Sequence, residues 1–476
     1  MLILTTILIY FCVLMLMGRL TSKKSNNETF YRGERKSPWY VLAFGLVGAS
    51  ISGITFVSVP GMVIKQDMTY LQTCLGFILG YFVVAFVLLP VYYKLNLTTI
   101  YSFLQKRLGN RSYKTGALFF LLSEMTGTAL RFYVVCSILQ RFVFGPVGVP
   151  FVVTVVALVM LIWLYTRRGG IKTLVWTDTF QTFCMMAALL IIIVEVIGKL
   201  DMSVGDAVWA VVADSHSRIF VFDDWVSTQN FFKQFLSGVF IVVVMTGLDQ
   251  HMMQKNLTCK TLRDAQKDMC VGGFFFVPVN LLFLSLGVLL LLLAGKEGLA
   301  VPADSDELLP MFAASGWMGS LVLVLFSIGI VASSFSGTDS ALTAVTTSYC
   351  VDIKERPDDE TLRRRAHFGV CVLFAVFILA FRVINSTSVI DAIYIVLSYT
   401  SGPLLGLFAY GILTKRGVND RLVPYICVAA PVICFAINQI TVPLTGYKFG
   451  YELLMLNGML VFLGMYLTSH RAAKAA

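Results

Sequence analysis

Residues 335 to 345 read FSGTDSALTAV, and with Thr347 they place Ser336, Asp339, Ser340, Thr343 and Thr347 at i, i+3, i+4, i+7 and i+11, along one face of a helix. The surroundings are apolar, so the stripe sets a row of oxygen atoms into a greasy wall. Hydrogen bonding between helices accounts for the hydroxyls. It does not account for an aspartate, because ionisable groups at membrane depth are rare and costly. Oxygens arrayed around one negative charge suit a small monovalent cation.

A second stretch, GLVGASISGITFVSVPGM from residue 45 to 62, spreads Gly45, Gly48, Gly53, Pro60 and Gly61 through one apolar span. Glycine and proline interrupt the helical ladder, and freed carbonyls are tolerated at membrane depth only where they are buried or line a cavity. A broken helix offers those carbonyls to a cation and its half-helix ends to a solute. Ser52 and Thr55 share one face beside the expected break.

Two further stretches carry acids near one end of a span. RRGGIKTLVWTDTFQ (167–181) contains Asp178, and MTGLDQHMMQKNL (245–257) contains Thr246, Asp249 and Gln250. Asp178 either gains from a helix N-terminus or serves a site, and Asp249 reads equally as an interface residue. Glu124 and Arg131 lie seven apart, about two turns on one helix. They either bridge to each other and their neighbours, or Arg131 offers its planar fork to a carboxylate.

The elements that hold these residues follow from composition. The chain has 476 residues, is 57% hydrophobic and 13% charged, with a mean hydropathy of +0.80; soluble domains are about 25% charged. Apolar runs of the roughly 20 residues that cross a bilayer fall near 1–18, 39–65, 69–94, 112–145, 148–166, 174–198, 229–254, 268–294, 311–349, 366–385, 388–413, 420–441 and 449–470. About thirteen membrane helices are expected, in an all-α integral membrane protein. The first run lacks a basic start and a small-residue cleavage site, so it reads as a retained helix.

Lysines and arginines gather on alternate connections, such as Arg19–Lys36, Lys94–Lys114, Arg167–Lys172 and Lys255–Lys267. Positive loops stay in the cytoplasm, which puts the N-terminus outside and the C-terminus inside. The net charge of +10 is then a topology signal and no sign of nucleic-acid binding. The ten cysteines and four histidines show no metal or redox spacing. No loop is long enough to bury a core of its own, so function belongs to the bundle. An enzyme needs a nucleophile with its base, or a metal; a channel needs a filter-like segment or rings of charge. Neither is legible, and transport is the expected activity.

The four stretches occur in the order in which the solute:sodium symporter family carries similar motifs, and the chain resembles that family over residues 28 to 440. The resemblance implies a LeuT-type fold: a 5+5 inverted repeat with one helix before it and two after. The divisions are then 1–38, 39–198 for the first repeat, 199–228 as an outer loop, 229–413 for the second repeat, and 414–476. It implies a sodium-coupled secondary active symporter for a small polar solute such as a sugar or a sugar acid, with no cofactor besides Na+. A proton-coupled carrier or a sensor on the same scaffold is the alternative.

Carried over motif by motif, sodium is held by carbonyls of Gly48 and Ile51 with Ser333 and Ser336. A second cation site takes Asp178, Ser336, Asp339 and Ser340, and the solute meets Ser52, Thr55, Phe56, Gln72, Arg131 and Thr246. The chain departs from the family at Gly337, where many members have another hydroxyl. Na+, one solute and the lipid bilayer are the implied partners, a monomer is enough, and the location is a plasma membrane of bacterial inner-membrane type.

Overall fold

The computed structural model describes residues 2–22, 25–225, 227–314, 318–384, 389–445, 449 and 452–469. Among them, helix follows helix in this order: α1 (Leu2–Thr21), α2a (Trp39–Ser50) with α2b (Gly53–Gln66), α3 (Tyr70–Lys94), α4 (Asn110–Leu139), α5 (Phe151–Gly169) and α6 (Ile171–Lys199). They continue with α7a (Phe231–Gly247) and α7b (Gln250–Asn256), α8 (Leu262–Glu297), α9 (Gly319–Ile353), α10 (Glu360–Ile384), α11 (Val389–Leu413), α12 (Val423–Thr445) and α13 (Glu452–Leu467). The expected run 311–349 is divided. Its first part belongs to a separate short helix, Leu308–Ala314, and α9 starts after Gly319, whose φ of +78° suits glycine.

Two spans are broken, by 62° between α2a and α2b and by 69° between α7a and α7b. Each break is capped. Ser52 leaves the helix at φ −76°, ψ 165°, and its Oγ accepts from the Thr55 amide at 3.3 Å. Asp249 does the same at φ −105°, ψ 122°, with Oδ1 accepting from the His251 amide at 2.7 Å. A side-chain oxygen replaces the missing carbonyl at each new helix start, so the breaks are defined positions and not frayed ends.

Close packing of backbones fixes the surroundings. α3 meets α7a through Gly76 and Gly238: a Cβ at Gly76 would lie 2.1 Å from the Phe235 carbonyl oxygen, and one at Gly238 2.2 Å from that of Thr73. Without a hydrophobic drive between helices in lipid, small residues gain packing by such approach. α9 runs through the middle, against α1, α2, α4 and α6. Its apolar stretch is 72% buried against 22% for α10, which separates a core helix from a peripheral one. Exposed Val152, Val156, Phe183, Val194, Val376 and Phe435 form the greasy exterior that a bilayer covers.

At one end of the bundle, Glu34 bonds Lys172 at 2.9 Å, and this ammonium holds the Glu34 carboxyl below the usual carboxylate range. At the other, Gln72 ties the 200–228 loop: its Nε2 donates to the Gln229 carbonyl at 2.9 Å and its Oε1 accepts from the Val221 amide at 3.2 Å.

Candidate functional site at the two helix breaks

The breaks face a common cavity of about 210 Å³. It is walled by Ser52 and Thr55 of α2, Ser123, Glu124, Thr128 and Arg131 of α4, Thr246, Asp249 and His251 of α7, and Ser333, Ser334, Gly337 and Thr338 of α9. It extends past Ser58, Met62, Tyr70 and Thr73, toward the end of the bundle that holds the 200–228 loop. Toward the opposite end the route is filled. Tyr92 donates to the Gly247 carbonyl at 2.8 Å and Tyr101 to that of Leu248 at 3.1 Å.

Of the six residues expected to meet the solute, Ser52, Thr55, Arg131 and Thr246 line this cavity. Phe56 and Gln72 do not line it. Phe56 is fully buried behind the wall, edge-on to Phe283 with ring centroids 5.4 Å apart. Gln72 is spent on the loop. The helical face that carries Thr55 turns Phe56 away from it, because adjacent residues on a helix point about 100° apart.

Glu124, Asp249 and His251 come together, with ligand atoms all within 4.8 Å of one another. His251 Nδ1 lies 3.3 Å from Glu124 Oε1, which also accepts from Thr128 at 2.9 Å. Sequence spacing hid this group, since two whole spans, α5 and α6, separate Glu124 from the span of His251; the visible signal was only that each is ionisable in an apolar run. Arg131 shares the wall with them. Among the described residues its guanidinium has no recorded ion pair or hydrogen bond.

The expected sodium ligands sit beside the cavity. Because α2a ends at Ser50 and α2b starts at Gly53, helix geometry leaves the carbonyls of residues 48 to 51 without N–H donors. Across from them, a Cβ on Gly337 would be 3.9 Å from the Ala49 oxygen, and one on Gly53 only 1.9 Å from Ser334 Oγ. α2 and α9 therefore touch at the break. Ser333 bonds back to the Gly329 carbonyl at 2.7 Å, and Ser336 donates to Asp178 Oδ1 at 2.9 Å, so both hydroxyls keep lone pairs for a cation. Unsatisfied buried carbonyls opposite two hydroxyls fit a sodium ion.

The second set is arranged differently. Asp178 Oδ2 meets the ammonium of Lys255 at 2.6 Å, with side chains 3% and 8% exposed. Asp339 accepts from Tyr165 at 2.6 Å and from Ser340 at 3.1 Å. Asp178, Ser336, Asp339 and Ser340 are thus neighbours, and the Asp178 carboxylate is paired with Lys255 of α7b. This residue was not singled out in the sequence, where it reads as one member of a basic loop.

Residues 30–421 match the model of the sodium:solute symporter family. The chain is 22% identical over 432 residues to the sodium/sialic acid symporter SiaT of Proteus mirabilis (strain HI4320), covering 86% of this chain and 84% of the other. It is 24% identical over 428 residues to the sodium/sialic acid symporter NanT of Aliivibrio fischeri (strain ATCC 700601 / ES114), covering 86% and 82%. It is also 24% identical to the human sodium/iodide cotransporter over 418 residues, 83% of this chain and 62% of that one. The fold is that of a Na+-coupled sialic acid symporter solved in a substrate-bound outward-open state, with a TM-score of 0.84, 18% identity and 99% of both chains covered. Mhp1, a nucleobase-cation-symport-1 family transporter in a closed conformation, shares it at a TM-score of 0.56, 14% identity, and 94% and 95% coverage. The family model covers most of the chain and the LeuT-type fold is shared over nearly its full length: the chain belongs to the sodium:solute symporter family, and it is a Na+-coupled symporter of a small solute.

Proposed function

We propose that the solute is a small polar organic acid, of the sugar-acid type that includes sialic acid, and that its carboxylate binds Arg131. The observation that carries this is the Arg131 guanidinium, which lines the cavity with no recorded hydrogen bond or ion pair among the described residues. A guanidinium on a cavity wall offers a planar fork of donors, and a carboxylate matches it with two parallel bonds. Glu124, Asp249 and His251 supply acceptors on the same wall for hydroxyl or amino groups of the solute. Thr55 and Thr246 stand at the breaks, where half-helix ends add partial charges.

Sodium is held by the carbonyls of Gly48 and Ile51 with Ser333 and Ser336. It neutralises freed carbonyls and joins α2 to α9, which completes the wall containing Ser52 and Thr55. Coupling requires that sodium bind the outward-open state better than the inward-open one, since equal affinity shifts no population. The repeats run over 39–198 and 229–413, the N-terminus lies outside and the C-terminus in the cytoplasm. The protein works as a monomer in a bacterial inner membrane, moves its solute unchanged and catalyses no reaction.

The test is binding of matched pairs to the purified protein in sodium: sialic acid against N-acetylmannosamine, gluconate against glucose, and lactate against glycerol, read as thermal stabilisation. The acid of at least one pair stabilises the wild type, and Arg131→Ala removes the difference. Stabilisation by the neutral partners alone contradicts the assignment.

A further inference from the structure

We infer that the Lys255 ammonium serves as a built-in cation at Asp178, so that transport is coupled to one sodium ion and no second one binds beside it. The inference rests on the sodium-coupled reading and adds the ion count.

Lys255 projects from α7b, the half-helix after the second break, and ends on Asp178 of α6 at 2.6 Å. Both residues line a small pocket of about 10 Å³ together with Gly45, Asn256 and Asp268, and no other ion pair to Lys255 is recorded among the described residues. A buried ammonium is strongly disfavoured unless paired. A buried carboxylate has the same need, and Ser336 completes the set by donating to Asp178 Oδ1 at 2.9 Å.

An extra sodium at these oxygens would share Asp178 with an ammonium already in contact with it. Like charges about 4 Å apart in a protein interior weaken such binding on the order of a thousandfold. The second acid of the region, Asp339, turns one oxygen to the Tyr165 hydroxyl at 2.6 Å and the other to that of Ser340 at 3.1 Å. The primary set differs in kind. Its carbonyls at residues 48 to 51 lack donors, and no ammonium is recorded against them.

Lys255 also differs from a mobile ion in being tethered. It joins α7b to α6 beside a small pocket distinct from the main cavity. In a two-ion carrier that positive charge is supplied from outside in each cycle; here it remains in the protein throughout.

Equilibrium binding of 22Na+ to the purified protein, with no solute present, tests the count. Wild type binds one ion per chain with a Hill coefficient of about 1, and Lys255→Arg, which keeps the charge, does the same. Lys255→Met vacates Asp178 and admits a second ion, raising the count to two; adding Asp178→Asn returns it to one. Two ions bound by the wild type overturn the inference, whether or not the Met variant folds. A count that stays at one in a folded Lys255→Met protein overturns it as well. No ion in any variant contradicts sodium coupling itself, a result distinct from a count of two.

Discussion

At the scale of single residues, two neighbours on α2, Thr55 and Phe56, separate solute contact from support. Phe56 is fully buried against Phe283 and Phe326, and truncating such a ring costs about 3–5 kcal/mol. Phe56→Ala is therefore expected to lower the melting temperature in detergent sharply while the order of preference among solutes is kept. A changed order would place the ring in the solute site after all. Arg131 behaves in the opposite way. Hydrogen bonds to a charged group contribute about 1.5–3 kcal/mol, so Arg131→Ala should weaken an acidic solute roughly 10- to 150-fold, with little loss of folded protein. Competition by neutral analogues is then unaffected. The sequence exposed Arg131 as an ionisable group in an apolar run but left its role open, because Glu124 pairs with His251 and Thr128 and not directly with Arg131. Such pairings lie across helices, and spacing along one chain does not encode them.

At the scale of elements, the break in α2 was legible in its glycines and the break in α7 was not. In sequence Asp249 stands out as an acid but not as a helix start, yet it caps α7b as Ser52 caps α2b. An aspartate is a strong N-cap, and within a membrane span that role competes with every other reading of a buried acid. Gly53 makes the α2 break specific. A methyl group there would sit 1.9 Å from Ser334 Oγ and 2.9 Å from Val135 Cγ2. Overpacking of this kind typically costs about 1–3 kcal/mol, and Gly53→Ala is expected to lower both stability and sodium affinity as α2 is pushed from α9. Ser334→Ala removes the nearer contact and should restore part of the loss. Equal damage in the single and double variants, measured by thermal melting and 22Na+ binding, would show that the approach of α2 to α9 does not set the site. The same logic holds at Gly238, where a side chain has no room against the Thr73 carbonyl.

At the scale of the whole molecule, hydropathy gave the spans to within a few residues, because a bilayer imposes length and apolarity on every crossing helix. It misread the segment before α9, where the short helix Leu308–Ala314 adds apolar residues to a span it does not belong to. The neighbourhood of Asp178, Ser336 and Asp339 was implied by the family resemblance together with the stripe on α9, whereas Lys255, about 80 residues from either aspartate in sequence, was counted with the loop charges. What unites these features is a bundle whose cavity reaches toward one face, with Tyr92 and Tyr101 filling the route toward the other and a buried Asp178–Lys255 ion pair between α6 and α7b. Such a molecule moves solute uphill only if sodium drives it. The direct measurement is uptake of radiolabelled sialic acid and of a panel of sugar acids into proteoliposomes, comparing an inward sodium gradient with equal gradients of potassium or protons. Accumulation of an acidic solute above its equilibrium level with sodium alone is the predicted result. Equal uptake under all three gradients, or accumulation driven only by protons, would contradict it.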